Sequence, residues 1–452
     1  MSADRPTRVA IARPAGAAVA WHDAVEAAVR SLDAVAIADA DGAIDLLIDL
    51  GGAAATVDPP LGVWRYGFGD GTPVANGAAG TWVRLYRTTA DPDRAIVLHE
   101  GWYRARTRDG WGTKSVGDRV APWCARVLRQ IQLGDCGCVR ADPQSTAGCR
   151  DREPPASSSA VARTTLDAID TVRGWFTRQR WTIGIVPVAL GEVLQRGRLP
   201  ETRWITGQPT DRFYADPFPL ARAGGVLQIL AEEYVYRSGE KRIALLEIDE
   251  AAALRRVVPA AGLPPHASYP FLLRAGGAEY CLPEAHRSRR VSAFRREAES
   301  AEWRHACDLI GGFPPVDATL LEHDGTWWLF CTKQGEEDQT ELHLFMAPSW
   351  DGPWTAHPLN PVKSDTRSSR PAGACFTIDG AVCRPAQNCA RRYGAGITIN
   401  RIVELSARAF REDPVLMLFP PETSPWPHGL HTINGLGDVT VVDGLRVTKS
   451  EV

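Results

Sequence analysis

The sequence predicts an α/β N-terminal domain followed by an all-β five-bladed β-propeller. Three observations carry this expectation. Residues 7–50 alternate strand-like and helix-like apolar patterns, residues 134–165 are rich in Gly, Pro, Ser, Asp and Ala, and the remainder repeats strand, tight turn, strand five times. A chain of 452 residues also exceeds the size at which one hydrophobic core usually stops growing. The expected division is residues 1–133 for the α/β domain, 134–165 for a linker and 166–452 for the propeller.

Taken in order, residues 7–13 read as a short buried strand and Val19 to Ser31 has the apolar spacing of an amphipathic helix. Ala34 to Ile37 and Ile44 to Leu50 follow as strands, the second ending in Gly51-Gly52. The domain closes with a helix near Val116 to Gln132, apolar at Val120, Trp123, Val127 and Ile131.

Beyond the linker, Phe213 to Phe218, Gly224-Gly225 and Val226 to Glu232 form the first unit. Ser268 to Leu273 with Gly276-Gly277, Pro315 to Leu321 with Asp324-Gly325, and Arg370 to Phe376 with Asp379-Gly380 repeat it. A fifth copy begins at His431 and ends near Asp443-Gly444. Asp216, Pro270, Asp317, Pro371 and His431 then recur at steps of 54, 47, 54 and 60 residues, which suits propeller blades. Each Asp-Gly or Gly-Gly pair supplies the positive φ that a two-residue hairpin turn needs. Lys241 to Glu247 and Glu341 to Ala347 alternate as outer strands, and Trp327-Trp328 is expected in packing between sheets.

The first strand of each blade borders the central channel, so the repeat itself predicts a site. It brings Asp216, Tyr269, Asp317, Arg370 and His431 together, with Glu232 or Glu233, Glu284, Lys333, Arg384 and Gln387 at the ends of second strands. A glycosidic bond needs one carboxyl to protonate the leaving oxygen and another to activate water or attack the anomeric carbon. Asp216, Glu284 and Asp317 are the candidate catalytic set. Glu233, Tyr269, Lys333, Arg370, Arg384, Gln387 and His431 are the candidate substrate contacts, because guanidinium, amide and phenol groups give directional bonds to sugar hydroxyls. Taken singly, each aspartate also fits a turn or a loop cap.

With 51 Lys+Arg against 54 Asp+Glu the formal charge is -3, which gives no global field for nucleic acid. The start, Met1 to Pro6, is not that of a signal peptide, and no window holds the roughly 18 apolar residues of a spanning helix. A cytoplasmic protein with no integral membrane segment is expected. Cys136-Gly137-Cys138 with Cys149 lacks the second pair of a zinc site, and His428 with His431 does not make a metal centre. No metal or other cofactor is expected, and no motif sets an oligomeric state. The expected partner is a sugar or glycoconjugate substrate.

Phe213 to Phe218, Gly325 to Phe330 and Ser349 to Trp354 followed by His357 to Pro361 resemble the five-bladed arabinanase, xylosidase and fructosidase propellers. The region is similar, more closely, to the N-terminal part of the plant glucosamine inositolphosphorylceramide transferases and bacterial proteins sharing it. The resemblance implies Asp216 as base or nucleophile and an acidic residue of a later blade as acid. The hydrolases place a glutamate in the third blade, where this chain has Asp317, its own glutamate, Glu284, lying in the second. Asp45 to Gly51, Gly62 to Gly67 and the closing helix resemble formyltransferase-like modules, although the Asn-x-His segment of working members has no counterpart and the nearby histidine is His99. The resemblance therefore implies carbohydrate chemistry in the propeller, with a sugar-binding module or a formyl or acyl transferase on an amino sugar as the alternatives.

Overall fold

The structure is a computed structural model, and it describes residues 5–14, 20–39, 42–51, 57–68, 80–91, 94–104, 116–135, 144–145, 177–297, 302–335 and 337–449. The chain divides into two units, Met1–Asp167 and Ala168–Val452.

In the first unit, β1 (Thr7–Ala12), α1 (Ala20–Arg30), β2 (Val35–Ile37), β3 (Leu46–Asp49), β4 (Val63–Phe68), β5 (Gly80–Thr88), β6 (Arg94–Arg104), α2 (Val116–Val120), α3 (Trp123–Gln132) and β7 (Gln144–Ser145) follow in sequence. The sheet order is β2-β1-β3-β4-β5-β6-β7. It is parallel from β2 through β4 and antiparallel from β4 to β7. The i, i+4 series Trp21, Val25 and Val29 buries one face of α1 in a core shared with Trp64, Tyr66 and Trp123. The single helix expected over 116–132 is two, broken at Ala121-Pro122, because Pro122 offers no N–H to an ongoing helix and leads naturally into a new one at Trp123. Gln144–Ser145, inside the expected linker, pairs with Arg94 and Ala95 at the sheet edge. The Cys136, Cys138 and Cys149 group lies outside the described residues. Among the described residues no helix is long and apolar enough to cross a membrane.

The second unit is a five-bladed β-propeller. It opens with β8 (Thr177–Val186), α4 (Leu190–Arg196) and β9 (Arg203–Trp204). Blade 1 is β10 (Arg212–Ala223), β11 (Val226–Val235), β12 (Glu240–Asp249) and β13 (Leu254–Pro259). Blade 2 is β14 (Ser268–Ala275), β15 (Ala278–Glu284), β16 (Arg290–Arg296) and β17 (Trp303–Gly311). Blade 3 is β18 (Pro315–His323), β19 (Thr326–Lys333), β20 (Glu341–Ala347) and β21 (Thr355–Ala356), with β22 (Lys363–Ser364) also on β20. Blade 4 is β23 (Phe376–Ile378), β24 (Ala381–Asn388), β25 (Gly396–Leu405) and β26 (Phe410–Leu418). Blade 5 has the order β27 (Ile433–Leu436), β28 (Val439–Lys449), β8, β9, so the two ends of the unit close the ring in one sheet.

The turns account for the repeat. Gly224-Gly225, Gly276-Gly277, Asp324-Gly325 and Asp379-Gly380 all hold positive φ at both residues, the geometry a two-residue hairpin demands. Blade 5 differs from expectation. Its hairpin runs through Gly437-Asp438, whereas Asp443-Gly444 lies within β28 and is buried. Trp328 is buried, and Trp327, on the alternate face of β19, packs partly buried against the core that holds Leu329 and Cys331.

Candidate functional site

Three of the five axial residues ride on the same backbone device. The β10–β11, β14–β15 and β18–β19 pairings each shift register after Ala215, Ser268 and Val316. The bulge places Asp216, Tyr269 and Asp317 in the left-handed region, at φ of 52°, 43° and 53°. That conformation costs roughly 1–2 kcal/mol for an L-residue, least for aspartate. For Tyr269 it is held by three bonds: its N–H to Asp216 Oδ2 (3.2 Å), its hydroxyl with Thr319 Oγ1 (2.9 Å), and the Gly373 N–H to the hydroxyl (2.7 Å). Gly373 has no room for a side chain, since a Cβ there would lie 2.1 Å from the Ile433 carbonyl oxygen.

Blades 4 and 5 deliver Arg370 and His431 from segments just ahead of their first strands. Arg370 Nε donates to Asp317 Oδ2 (2.6 Å), and its other nitrogens lie 3.5 Å from Asp338 and 3.9 Å from Glu284. Gln387 donates to the same Asp317 oxygen (2.9 Å) and to the Pro371 carbonyl. His431 lies between two aspartates, its Nδ1 on Asp443 and its Nε2 3.7 Å from Asp216 Oδ1, with Trp181 stacked on the ring at 4.0 Å. Asp216 also accepts from the Thr432 hydroxyl (2.8 Å), and Asp443 accepts from the His431 and Thr432 N–H groups.

Asp216, Glu284, Asp317, Arg370 and His431 thus form one buried charged cluster, with Tyr269 and Gln387 bracing it. Burial raises Asp216 against the pull of His431. Burial likewise pushes Asp317 well above the carboxylate range, against Arg370 and with the help of the Glu284 charge. For Glu284 burial is outweighed by the His286 hydrogen bond (3.0 Å) and by Arg370, which bring it down to about 2. Burial would discharge His431, but Asp443 and Asp216 hold it up at about 9, an imidazolium sandwiched between carboxylates.

Other expected contacts sit elsewhere. Glu233 is fully buried but turned from the cluster, bonded to Arg212 (2.9 Å), Arg242 (2.5 Å) and the Tyr214 hydroxyl. Strand alternation puts its neighbour Glu232 on the axial side instead. There Glu232 meets Lys241 at 3.6 Å, and burial, reinforced by Asp216 and Glu284, raises it to about 7. Arg384 is a structural residue: it is fully buried, paired with Glu412 (2.9 and 2.6 Å) and bonded to the Ser368 and Ser369 carbonyls. Lys333 is exposed, 5.9 Å over the Phe313 ring. Of the alternatives Glu232 and Glu233 that the repeat offers, the structure brings Glu232 to the cluster, and Lys241, Asp443 and Trp181 are cluster members without a part in the candidate set drawn from the repeat.

Asp216, His431 and Asp443 each offer an atom within 4.8 Å of the others, a spacing that a metal ion can bridge.

Residues 205–426 match the family described as glucosamine inositolphosphorylceramide transferase 1, N-terminal. Relatives include glucosamine inositolphosphorylceramide transferase 1 of Oryza sativa subsp. japonica, 30% identical over 215 residues, covering 46% of this chain and 28% of the relative. The Arabidopsis thaliana protein of the same name is 28% identical over 266 residues, 55% of this chain and 34% of its own. The chain therefore spans about a third or less of the length of the curated relatives it matches. Similar solved structures include the catalytic domain of a GH62 α-L-arabinofuranosidase from Coprinopsis cinerea (TM-score 0.38, 10% identity, 51% of this chain and 90% of that one). Another is an exo-β-1,3-galactanase from Phanerochaete chrysosporium (TM-score 0.36, 12% identity, 48% and 52%).

Proposed function

We propose, taking the propeller's likeness to the N-terminal region of the plant transferases as the premise, that this chain acts on a glycan or glycoconjugate through glycosidic-bond chemistry at the axial cluster. The carboxyl groups assigned to it are Asp216, Glu284 and Asp317, joined by Glu232. The observation that carries the reading is the separation of proton affinities within one buried cluster, Glu232 up to about 7 and Glu284 down to about 2. Bond cleavage or transfer at an anomeric carbon needs one protonated and one ionised carboxyl. Glu232 is the proton donor. Glu284 is the base or nucleophile, Asp216 sets the charge between them, and Asp317 is fixed by Arg370 and Gln387. The relatives are named for an activity on a glycoconjugate, which supports a sugar-bearing ligand.

The test is a thermal-shift screen of oligosaccharides and activated sugars, since a ligand of the native state raises its apparent stability. Turnover and dissociation constant are then measured for wild type, Glu232→Gln and Glu284→Gln on whatever binds. Each variant is expected to lose about 10²–10⁴-fold in kcat with binding largely kept. Binding with no turnover in wild type would identify a sugar-binding module. A requirement for a formyl or acyl donor would move the chemistry to the first unit.

A further inference from the structure

Blade 5 holds an arrangement that folding alone does not favour. In the β28–β8 pairing Arg446 lies directly opposite Arg180, one step beyond the Leu445–Trp181 pair. Like charges facing each other across a strand pair are destabilising. Among the described residues no acidic side chain forms an ion pair with either arginine. Arg180 reaches only the Gln208 and Pro209 carbonyls, each at 3.3 Å, and its buried Nε–H has no acceptor. Arg446 is exposed. His428, which accepts the Val447 N–H (3.1 Å), is held below its ordinary value by burial and then by the positive charges of Arg392 and Arg446. Two strand positions further out, Arg178 covers the Tyr236 ring at 3.6 Å and donates to the Thr210 carbonyl. Asp211, a carboxylate that feels the Arg178 charge, is already paired with Arg212.

Strand alternation turns Arg180 and Arg446 to the face of blade 5 opposite the Trp181–Leu445 pair. Trp181, the neighbour of Arg180, stacks on His431, and His431 faces Asp216. We propose that Arg180 and Arg446, flanked by His428 and Arg178, form an anion subsite that takes a phosphate group. Two guanidinium groups suit tetrahedral phosphate oxygens, and a bound dianion relieves the repulsion between the arginines. The affinity for phosphate does not rest on the glycoconjugate reading, so either can fail without the other.

The test uses the full chain at low ionic strength, where surface charge is least screened. Inorganic phosphate and glucose 1-phosphate are titrated by calorimetry, and sedimentation with phosphatidylcholine vesicles is compared with and without phosphatidylinositol. Wild type is set against Arg446→Ala, Arg180→Lys and, as a control for charge alone, Arg256→Ala. Phosphate binding is expected in wild type and in Arg256→Ala, weakened about tenfold or more in Arg446→Ala. Arg180→Lys keeps the charge and loses the fork, so its loss is expected to be smaller. Binding confined to the phosphatidylinositol vesicles and lost in Arg446→Ala supports the subsite with a lipid headgroup as the source, and binding of the soluble esters supports a free phosphate ester. No binding in any arm, or equal binding in wild type and Arg446→Ala, overturns the proposal.

Discussion

Blades 1 to 3 and blades 4 to 5 build the axial cluster in different ways. The first three carry Asp216, Tyr269 and Asp317 on left-handed bulges inside long first strands, eight to twelve residues each. The last two carry Arg370 and His431 on segments ahead of first strands of only three and four residues. The acids and the phenol are therefore placed by backbone geometry. The cations are placed by the acids, since Arg370 is held by Asp317 and His431 by Asp443 and Asp216. Strain on one side is held in place by charge pairing on the other, as expected where a site is over-determined by its surroundings.

The largest expected effect is on the cation side. Arg370→Met would leave the ionised Glu284 buried without its counter-charge and Asp317 without its Arg370 donor, and breaking a buried pair from one side costs about 3–5 kcal/mol. Asp317→Asn is milder, because asparagine tolerates the left-handed bulge and Arg370 keeps Glu284 and Asp338; about 1.5–3 kcal/mol is expected. Denaturant unfolding of the two variants checks the order. Equal losses would mean that the cations are not anchored by the acids.

The smallest effect is in pH dependence. His431, raised to about 9 in the fold, contributes stability that is complete below its ordinary value and is lost as pH rises through about 9. Glu232, raised to about 7, acts in the same direction, its contribution complete below the usual carboxylate value and lost as pH rises through about 7. Unfolding free energy should therefore fall from mildly acidic to alkaline pH. The alkaline part of the fall should be shallower in Asp443→Asn, which removes the main support for the imidazolium. Parallel curves for the two proteins would remove Asp443 from that role.

The repeat was legible because its turns obey local chemistry. Gly-Gly and Asp-Gly pairs needing positive φ marked four of five hairpins, and their spacing fixed the equivalence of Asp216 and Asp317. Where two signals competed locally the reading failed. Asp443-Gly444 has turn chemistry but lies in β28, because Gly437-Asp438 makes the turn first and leaves Asp443 to bind His431. The partner strands of blade 5 stand more than 200 residues away in sequence, so no local pattern reveals that β8 completes it. Side-chain direction was the other limit. Glu232 and Glu233 differ only in pleat parity, and Arg384 finds Glu412 28 residues on, a pairing set by tertiary packing.

The central claim is that the axial cluster keeps one carboxyl protonated near neutrality beside one that stays ionised. Carbon-13 NMR titration of the glutamate side chains, with Glu232 and Glu284 assigned through Glu232→Gln and Glu284→Gln, measures this without any substrate. The expected result is a Glu232 midpoint at about 7 and no midpoint for Glu284 above about 3. Both residues titrating near the ordinary glutamate value of about 4.3 would contradict it.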